Sequence, residues 1–447
     1  MKILVRGGKM QFEKILDVVS EWSRGRVEAF EMFALVKEGL KIEKKDGRLE
    51  TFQPYQEEGI ALRVINRGAL GFAYTADLSP ETILKTAHQA LEMANLLESE
   101  PQLSFPFPEA CPDLRTECPR RLSPEEALAR LESVESTAFA FDPRVKRLQE
   151  VGVRDQEVEI FLANSSGLQY SWRQRSYSLV AVVVAEEANE QQMGWEWQSA
   201  ISPEDLPPEK IGREAAYRAV SRLKAKTMAS TKTNVLFPPH IAVDLLELVS
   251  QAFCGDRVLK GKSPFAGKIG QRIFSSAVNI LDHGLLKKGL ETRPFDDEGV
   301  PQREKYLVRG GELEGFLFDH YWGQKSGQGS TGNARRGHFK APPSVSPTNL
   351  FLSPHPQDPK TWREGRVFEV LEVLGMHTAN PISGDFSVGV TGLFWEGKEA
   401  QPVAGMALSG NVFELFNRVE AVGNDLTFYG SIGAPSILVS EMDLAGG

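Results

Sequence analysis

Ile60-Ala-Leu-Arg-Val-Ile-Asn-Arg-Gly-Ala-Leu-Gly-Phe-Ala-Tyr-Thr-Ala-Asp-Leu-Ser-Pro-Glu81 contains a strand, a turn, a second strand and the opening of a helix. The apolar run Ile60 to Ile65 predicts the first strand, Asn66-Arg-Gly68 breaks it, and Gly71-Phe-Ala-Tyr74 predicts the next. Ser79-Pro80-Glu81 opens a helix, because serine caps orphan N–H groups and proline lacks the N–H that would be unsatisfied in the first turn. Apolar residues follow at Ile83, Leu84, Ala87, Ala90, Leu91 and Ala94, the spacing of one helix face. Upstream, Lys44-Lys-Asp46-Gly47 is a hairpin signal, and Gln11 to Trp22 predicts a preceding helix.

The same order returns about one module later. A helix opens at Ser123-Pro-Glu-Glu126, Asn164-Ser-Ser-Gly167 makes a turn, and Leu179 to Ala185 and Gly194-Trp-Glu-Trp197 predict strands. Ser202-Pro203 and Pro208-Glu209 then introduce a helix carrying Ile211, Ala215, Ala219 and Leu223. These are two related α/β modules, each an antiparallel sheet with flanking helices. The Pro- and Cys-rich segment Glu100 to Pro119 lies between them, and Ala225 to Thr233 marks a second break. Beyond it a helix (Pro239 to Phe253) is followed by short strands at Val367–Leu371, Phe386–Val390, Leu393–Trp395 and Ser436–Val439, a barrel-like pattern. The expected class is α+β, with modules at 1–100 and 120–226, a linker at 101–119 and a β-rich barrel-like domain at 232–447.

A chain of 447 residues exceeds one ordinary core. Its net charge of −9 and the absence of a long Lys/Arg run argue against nucleic-acid binding. Three cysteines (Cys111, Cys118 and Cys254) are an odd count that fits reduced thiols in the cytoplasm. The N-terminus lacks a secretory pattern. The longest apolar run, Leu179 to Ala185, is too short for a membrane span.

Several glycine-rich phrases stand out: Phe295-Asp-Asp-Glu-Gly299, Ser330-Thr-Gly-Asn-Ala-Arg-Arg336, Asn380-Pro-Ile-Ser-Gly-Asp-Phe386, Ala421-Val-Gly-Asn-Asp425 and Gly430-Ser-Ile-Gly-Ala-Pro435. Together they resemble the TldD/PmbA family, formerly called modulators of DNA gyrase, and within it the PmbA (TldE) branch. The resemblance implies a zinc metalloprotease of two related subunits, only one of which holds the metal. It also implies that the catalytic branch carries HExxxH on a helix, then a Gly-Asp pair, with a C-terminal Cys completing the site.

Here Gly255-Asp256 matches the Gly-Asp pair and places Leu246-Glu247-Leu248-Val249-Ser250-Gln251 over HExxxH; the Cys position falls near Val422. Zinc needs three N, S or O protein donors and an open position. Leu246 and Val422 offer none, Gln251 is a poor donor, and Glu247 then has no metal-activated water to deprotonate. The alternative ligand pair is His240 with Asp244, one helical turn apart, although Pro238-Pro239 puts His240 in the first turn, where a solvated or capping role is expected.

Gly327-Gln-Gly329-Ser-Thr-Gly332 fits GxGxxG, but no strand precedes it and no apolar helix follows, so a dinucleotide loop is rejected. Asn333, Arg335 and Arg336 remain candidates for substrate or partner binding from a flexible loop, against the reading of a solvated turn. Asp296-Asp297-Glu298 is expected to be a solvated acidic turn, since EF-hand spacing is absent. Tyr170, Trp172, Tyr177, Trp195 and Trp197 alternate with polar residues and predict one packed sheet face, or else a peptide-binding surface. No Gly-x-Ser-x-Gly elbow is present.

The function expected from the resemblance is that of a metal-free subunit without a cofactor of its own, paired with a TldD-like zinc subunit and acting on unfolded or extended peptides. Two other readings are open: a homodimeric peptidase with its own site, and a non-enzymatic protein regulating a toxin, antitoxin or gyrase system.

Overall fold

The computed structural model describes residues 8–114 and 120–446. The N-terminal residues 1–7, Cys118 and the end of the linker lie outside these, so the readings made on them are not addressed. Among the described residues no helix is long and apolar enough to cross a membrane.

The first module runs α1 (Gly8–Ser23), β1 (Ala29–Lys45), β2 (Arg48–Asn66), β3 (Ala69–Thr75) and α2 (Pro80–Leu96). The second repeats that order as α3 (Pro124–Phe141), β4 (Val145–Asn164), β5 (Gln169–Glu187), β6 (Glu190–Ala200) and α4 (Pro208–Val220). The Asp46-Gly47 hairpin forms as expected, with both residues at positive φ. At α3 the Ser123 side chain accepts from the Glu126 N–H while Glu126 accepts from the Ser123 N–H, a reciprocal cap.

The modules do not form separate sheets. One antiparallel sheet runs β3-β2-β1-β4-β5-β6, with β1 and β4 paired from Glu31 opposite Asn164 to Lys44 opposite Val151. The repeat is therefore spatial, since the order reads the same from either edge when the modules are exchanged. Alternation along the strands decides what covers each face. Phe30, Met32, Ile60, Leu62 and Val64 meet α1 and α2, while Val151, Val153, Leu179, Ala181 and Val183 meet α3 and α4.

Two glycines at matching positions let helix backbone touch sheet backbone. A Cβ on Gly71 would lie 1.8 Å from the Ala90 carbonyl oxygen, and one on Gly194 would lie 2.2 Å from that of Ala215.

β7 (Thr231–Phe237) leads into α5 (Pro239–Ser250) and a closing 3-10 turn at Gln251–Phe253. Strands Arg366–Leu374, Asp385–Glu396, Glu399–Asn411 and Ile437–Ala445 join β7 in a sheet that closes when Ala407 and Leu408 pair with Ala445 and Leu444. This is the expected barrel, with five strands. Phe386–Val390 and Leu393–Trp395 prove to be one strand with an irregularity near Gly392, where any Cβ would strike the Glu369 carbonyl oxygen at 2.0 Å. A further six-stranded sheet includes Ile280–His283, Glu304–Arg309 and Leu350–Leu352.

The C-terminal domain packs on the second face of the shared sheet. Phe339 enters a slot left by Gly59, where a Cβ would come within 2.3 Å of its ring, and Phe295 joins Phe33, Ala61, Ile160, Leu162 and Leu168 around it. Charges close the junction. Arg63 donates to Glu31 at 2.9 and 2.5 Å and to Glu298 at 2.8 Å, and Arg336 also pairs with Glu31. Asp296 accepts from the N–H groups of Glu298 and Val300 at 2.9 Å and of Ala334 at 3.0 Å. The expectation of a solvated acidic turn is thereby corrected: Asp296, Asp297 and Glu298 are all buried, each met by backbone donors or arginines from distant parts of the chain.

Two outcomes follow from this packing. Gly71→Ala and Gly194→Ala should each destabilise by about 1–3 kcal/mol, the usual cost of overpacking, read as a lower denaturation midpoint; an unchanged midpoint would contradict the close approach. Asp319 is pushed up to about 7 by burial and by the Glu298 charge. A carboxyl raised this way contributes stability below its unfolded pKa, lost as pH rises through about 7. Asp319→Asn, which still caps Trp322, should therefore gain Tm relative to the parent between pH 5 and pH 8 (roughly the interval around that titration), whereas a pH-independent offset would refute the linkage.

Candidate functional site

α5 is where the resemblance implies zinc ligands. Pro238-Pro239 sets its start and an apolar stripe turns it into the core. Leu246 and Val422 are both 0% exposed and belong to one cluster with Phe253 and Leu317. Gln251 is partly buried in the 3-10 turn, and Glu247 is exposed. The matching Gly-Asp pair has a packing reason: a Cβ on Gly255 would lie 2.1 Å from the Phe318 ring, and its N–H donates to the Leu317 carbonyl at 2.7 Å. The residues at the implied ligand positions do not fit a zinc ion, because two are hydrocarbon in a dry core and the third is an amide.

His240 is not a solvated capping residue. It is buried, its Nε2 lies 3.1 Å from the Leu371 carbonyl oxygen, and its ring meets Trp195 edge-on at 6.0 Å. Burial and the nearby Arg218 hold its pKa well below the ordinary value, so it is neutral. Asp244 is raised to about 6 by burial and by the Glu247 charge. Among the described residues no group of three or more His, Cys, Asp or Glu side chains is gathered as a metal site.

The loop at Ser330 to Arg336 is not a solvated turn, since Gly332, Asn333, Ala334 and Arg336 are buried. Asn333 is 0% exposed and its amide is fully used, donating to Asp282 at 2.9 Å and the Ser346 carbonyl at 3.0 Å, and accepting from Lys305 and Thr331 at 2.8 Å. It has no hydrogen bond left for a ligand. Arg335 pairs with Glu291, and Arg336 lies buried over the Phe33 ring at 4.7 Å. The physical reason is that most of these polar groups meet partners on other strands and loops, from Ser346 and Lys305 through Asp282 and Glu291 to Glu31, which a linear reading cannot supply.

Two cavities adjoin these residues. One, of about 460 Å³, lies where α4, α5 and the barrel meet, beside Glu196, which accepts from Arg218 at 2.6 Å and Tyr429 at 3.0 Å. The other, of about 320 Å³, lies between the second face of the shared sheet and the loops carrying Arg293, Arg335 and Arg336. The aromatic stripe is not one face: Tyr170 packs on the Phe295 ring, Trp172 lines the second cavity, Tyr177 packs under the helices, and Trp195 and Trp197 meet the C-terminal core. Arg293 and Lys37, which line the second cavity, escaped the sequence reading. Arg63 left a trace there, as a charge inside the apolar run Ile60 to Ile65.

Comparison with known proteins agrees along the chain. Residues 230–446 match the PmbA/TldA metallopeptidase C-terminal domain, residues 117–223 its central domain and residues 31–94 its domain 1. Metalloprotease PmbA of Escherichia coli O157:H7 is 26% identical, covering 100% of this chain and 99% of that protein. A solved structure from Thermotoga maritima, described as a proposed modulator of a DNA gyrase, is 29% identical with a TM-score of 0.88, covering 97% of this chain and 100% of that one. TldE from Thermococcus kodakarensis has the same fold, with a TM-score of 0.90 at 21% identity over 98% of this chain and 100% of its own. With all three domains matched in order on a fold that places them in one body, the chain belongs to the PmbA/TldD metallopeptidase family.

Proposed function

We propose that this chain is the metal-free subunit of a two-subunit zinc metalloprotease acting on unfolded or extended peptides. The observation that carries the reading is the pair Leu246 and Val422, both fully buried hydrocarbon where the resemblance calls for ligands. Full-length similarity to a protein named a metalloprotease supports the reaction class. The exposed Glu247 supports the assignment of the chemistry to a partner, because a general base must lie within hydrogen-bond reach of the water it activates and that water must be polarised. In this reading the partner, a TldD-like subunit, supplies zinc and base. This chain supplies one wall of the chamber and contacts to the peptide.

Plasma mass spectrometry on the untagged chain purified alone should give close to zero zinc per chain. A stoichiometric ratio that survives gel filtration would overturn the proposal, favour a homodimeric peptidase, and make His240 and Asp244 the first residues to replace. With the co-purified HExxxH partner, peptide cleavage should appear, and Glu247→Gln should leave its rate within about twofold. A loss of about a hundredfold or more, the usual range for removing a general base, would place the chemistry on this chain instead.

A further inference from the structure

We propose that the cleft of about 460 Å³ where α4, α5 and the barrel meet takes an uncharged amide of an extended peptide, which donates its N–H to His240 Nδ1; this rests on the peptide reading above. The carrying observation is a buried acceptor without a donor. A carbonyl oxygen only accepts, so the 3.1 Å contact between His240 Nε2 and the Leu371 carbonyl puts the ring proton on Nε2. Nδ1 is left with its lone pair, and among the described residues it makes no hydrogen bond. The described side-chain nitrogens and oxygens that are both unbonded and shielded from solvent all belong to arginines. Nδ1 is therefore open to the cleft that His240 lines. The residue is only 5% exposed, is held at Nε2 and meets Trp195 edge-on, so the lone pair has a fixed direction.

The charges on the cleft floor are committed to one another. Glu196 accepts from the Trp197 N–H at 3.0 Å and from Gln198 at 3.2 Å with one oxygen, and from Arg218 and Tyr429 with the other. Glu369 accepts from Arg363 and, at 2.9 Å, from Trp395, while Asp425 accepts twice from Ser436. At the rim Lys210, Lys360 and Asp358 are exposed and Glu214 is half-buried, so both signs are present there too. An ammonium group entering the cleft would approach Arg218, and a carboxylate would approach Glu196 and the Nδ1 lone pair. A neutral donor meets neither penalty. Burial and the nearby Arg218 keep the imidazole uncharged, so the acceptor is present at neutral pH.

The remaining walls are apolar, from Pro238, Pro239, Pro359, Leu371 and the Tyr217 ring. Proline presents such a surface with almost no side-chain freedom to lose on binding. The volume lies within the range of ligand sites, and the cleft runs between the second module and the C-terminal domain, the kind of junction where such sites collect. One neutral acceptor framed by hydrocarbon selects an N–H carried on a weakly polar body, which describes an amide. The amide is either a main-chain peptide unit or the side chain of Asn or Gln.

Magnetic resonance of the full chain, purified alone with nitrogen-15 in its histidines, distinguishes these. Three acetylated and amidated peptides of one uncharged sequence are titrated: one with a central Gln, one with Met in its place, and one with Gln and methylated main-chain nitrogens. The Gln peptide should bind and move the His240 Nδ1 resonance to its hydrogen-bonded position while Nε2 stays protonated. Loss of that shift with Met identifies the side-chain amide as the donor, and loss with methylation identifies the main chain. His240→Gln keeps an N–H for Leu371 but has no atom where Nδ1 stood. It should bind about tenfold more weakly, with a thermal melt to confirm its fold, and His240→Asn, whose Oδ1 falls near the Nδ1 position, should recover part of the affinity. No binding by any peptide, saturation without a shift at Nδ1, a proton on Nδ1 in the free chain, or a folded His240→Gln that binds as the parent does would overturn the proposal. Where His240→Gln does not fold, the Nδ1 resonance of the parent decides. Because the titration requires neither zinc nor partner, it can fail while the two-subunit reading stands, and the reverse.

Discussion

A guanidinium without water must find carboxylates, and Arg63 finds one from each half of the chain: Glu31 beside it in the sheet and Glu298 from the C-terminal domain. Desolvating three charges is costly, and their attraction compensates only when the geometry is tight and the remaining donors and acceptors are met. Here Glu298 also accepts from the His320 N–H at 2.8 Å, and Glu31 is shared with Arg336. The cluster acts as a register mark, because sliding the domain by one residue along the sheet would leave buried charges facing hydrocarbon. The Phe339 slot and both cavities depend on that register.

Much of the architecture was legible because it is local. The Asp46-Gly47 turn, the Ser123 cap and the spacing of Ile83, Ala87, Ala90 and Ala94 are written in neighbouring residues, and so was the repeat. That Leu246 and Val422 carry no donor could likewise be read from the residue types alone. What escaped was non-local. Asp296, Asp297 and Glu298 looked solvated because most of what meets them comes from residues 63, 320, 334 and 336. Asn333 and Arg336 looked available because Asp282, Lys305 and Glu31, which claim them, lie elsewhere in the sequence. A lone arginine within Ile60 to Ile65 was the one sign that charge had been carried into the interior.

On the reading proposed above, the repeat and α5 illustrate how a family can keep a fold while shifting its chemistry. Replacing a ligand by leucine exchanges a polar demand for apolar burial, worth about 1.5–3 kcal/mol for a large side chain, so α5 can be retained by packing alone. Gly255 is then kept for its fit against Phe318, with no metal needed to explain it. Sequence identity at such a position marks the shared backbone path and says nothing about catalysis.

The pairing of β1 with β4 also bears on how the chain is made. β1 has β2 on one side as soon as the Asp46-Gly47 hairpin closes, but its other edge is satisfied only by residues Val151 to Asn164. On a ribosome adding about 5–20 residues per second, the first module must wait several seconds with a long strand edge open. Such an edge recruits any other strand it meets. The charged alternation of Lys37, Glu38, Lys41, Glu43 and Lys44 along it is what would discourage neighbouring nascent chains until β4 emerges.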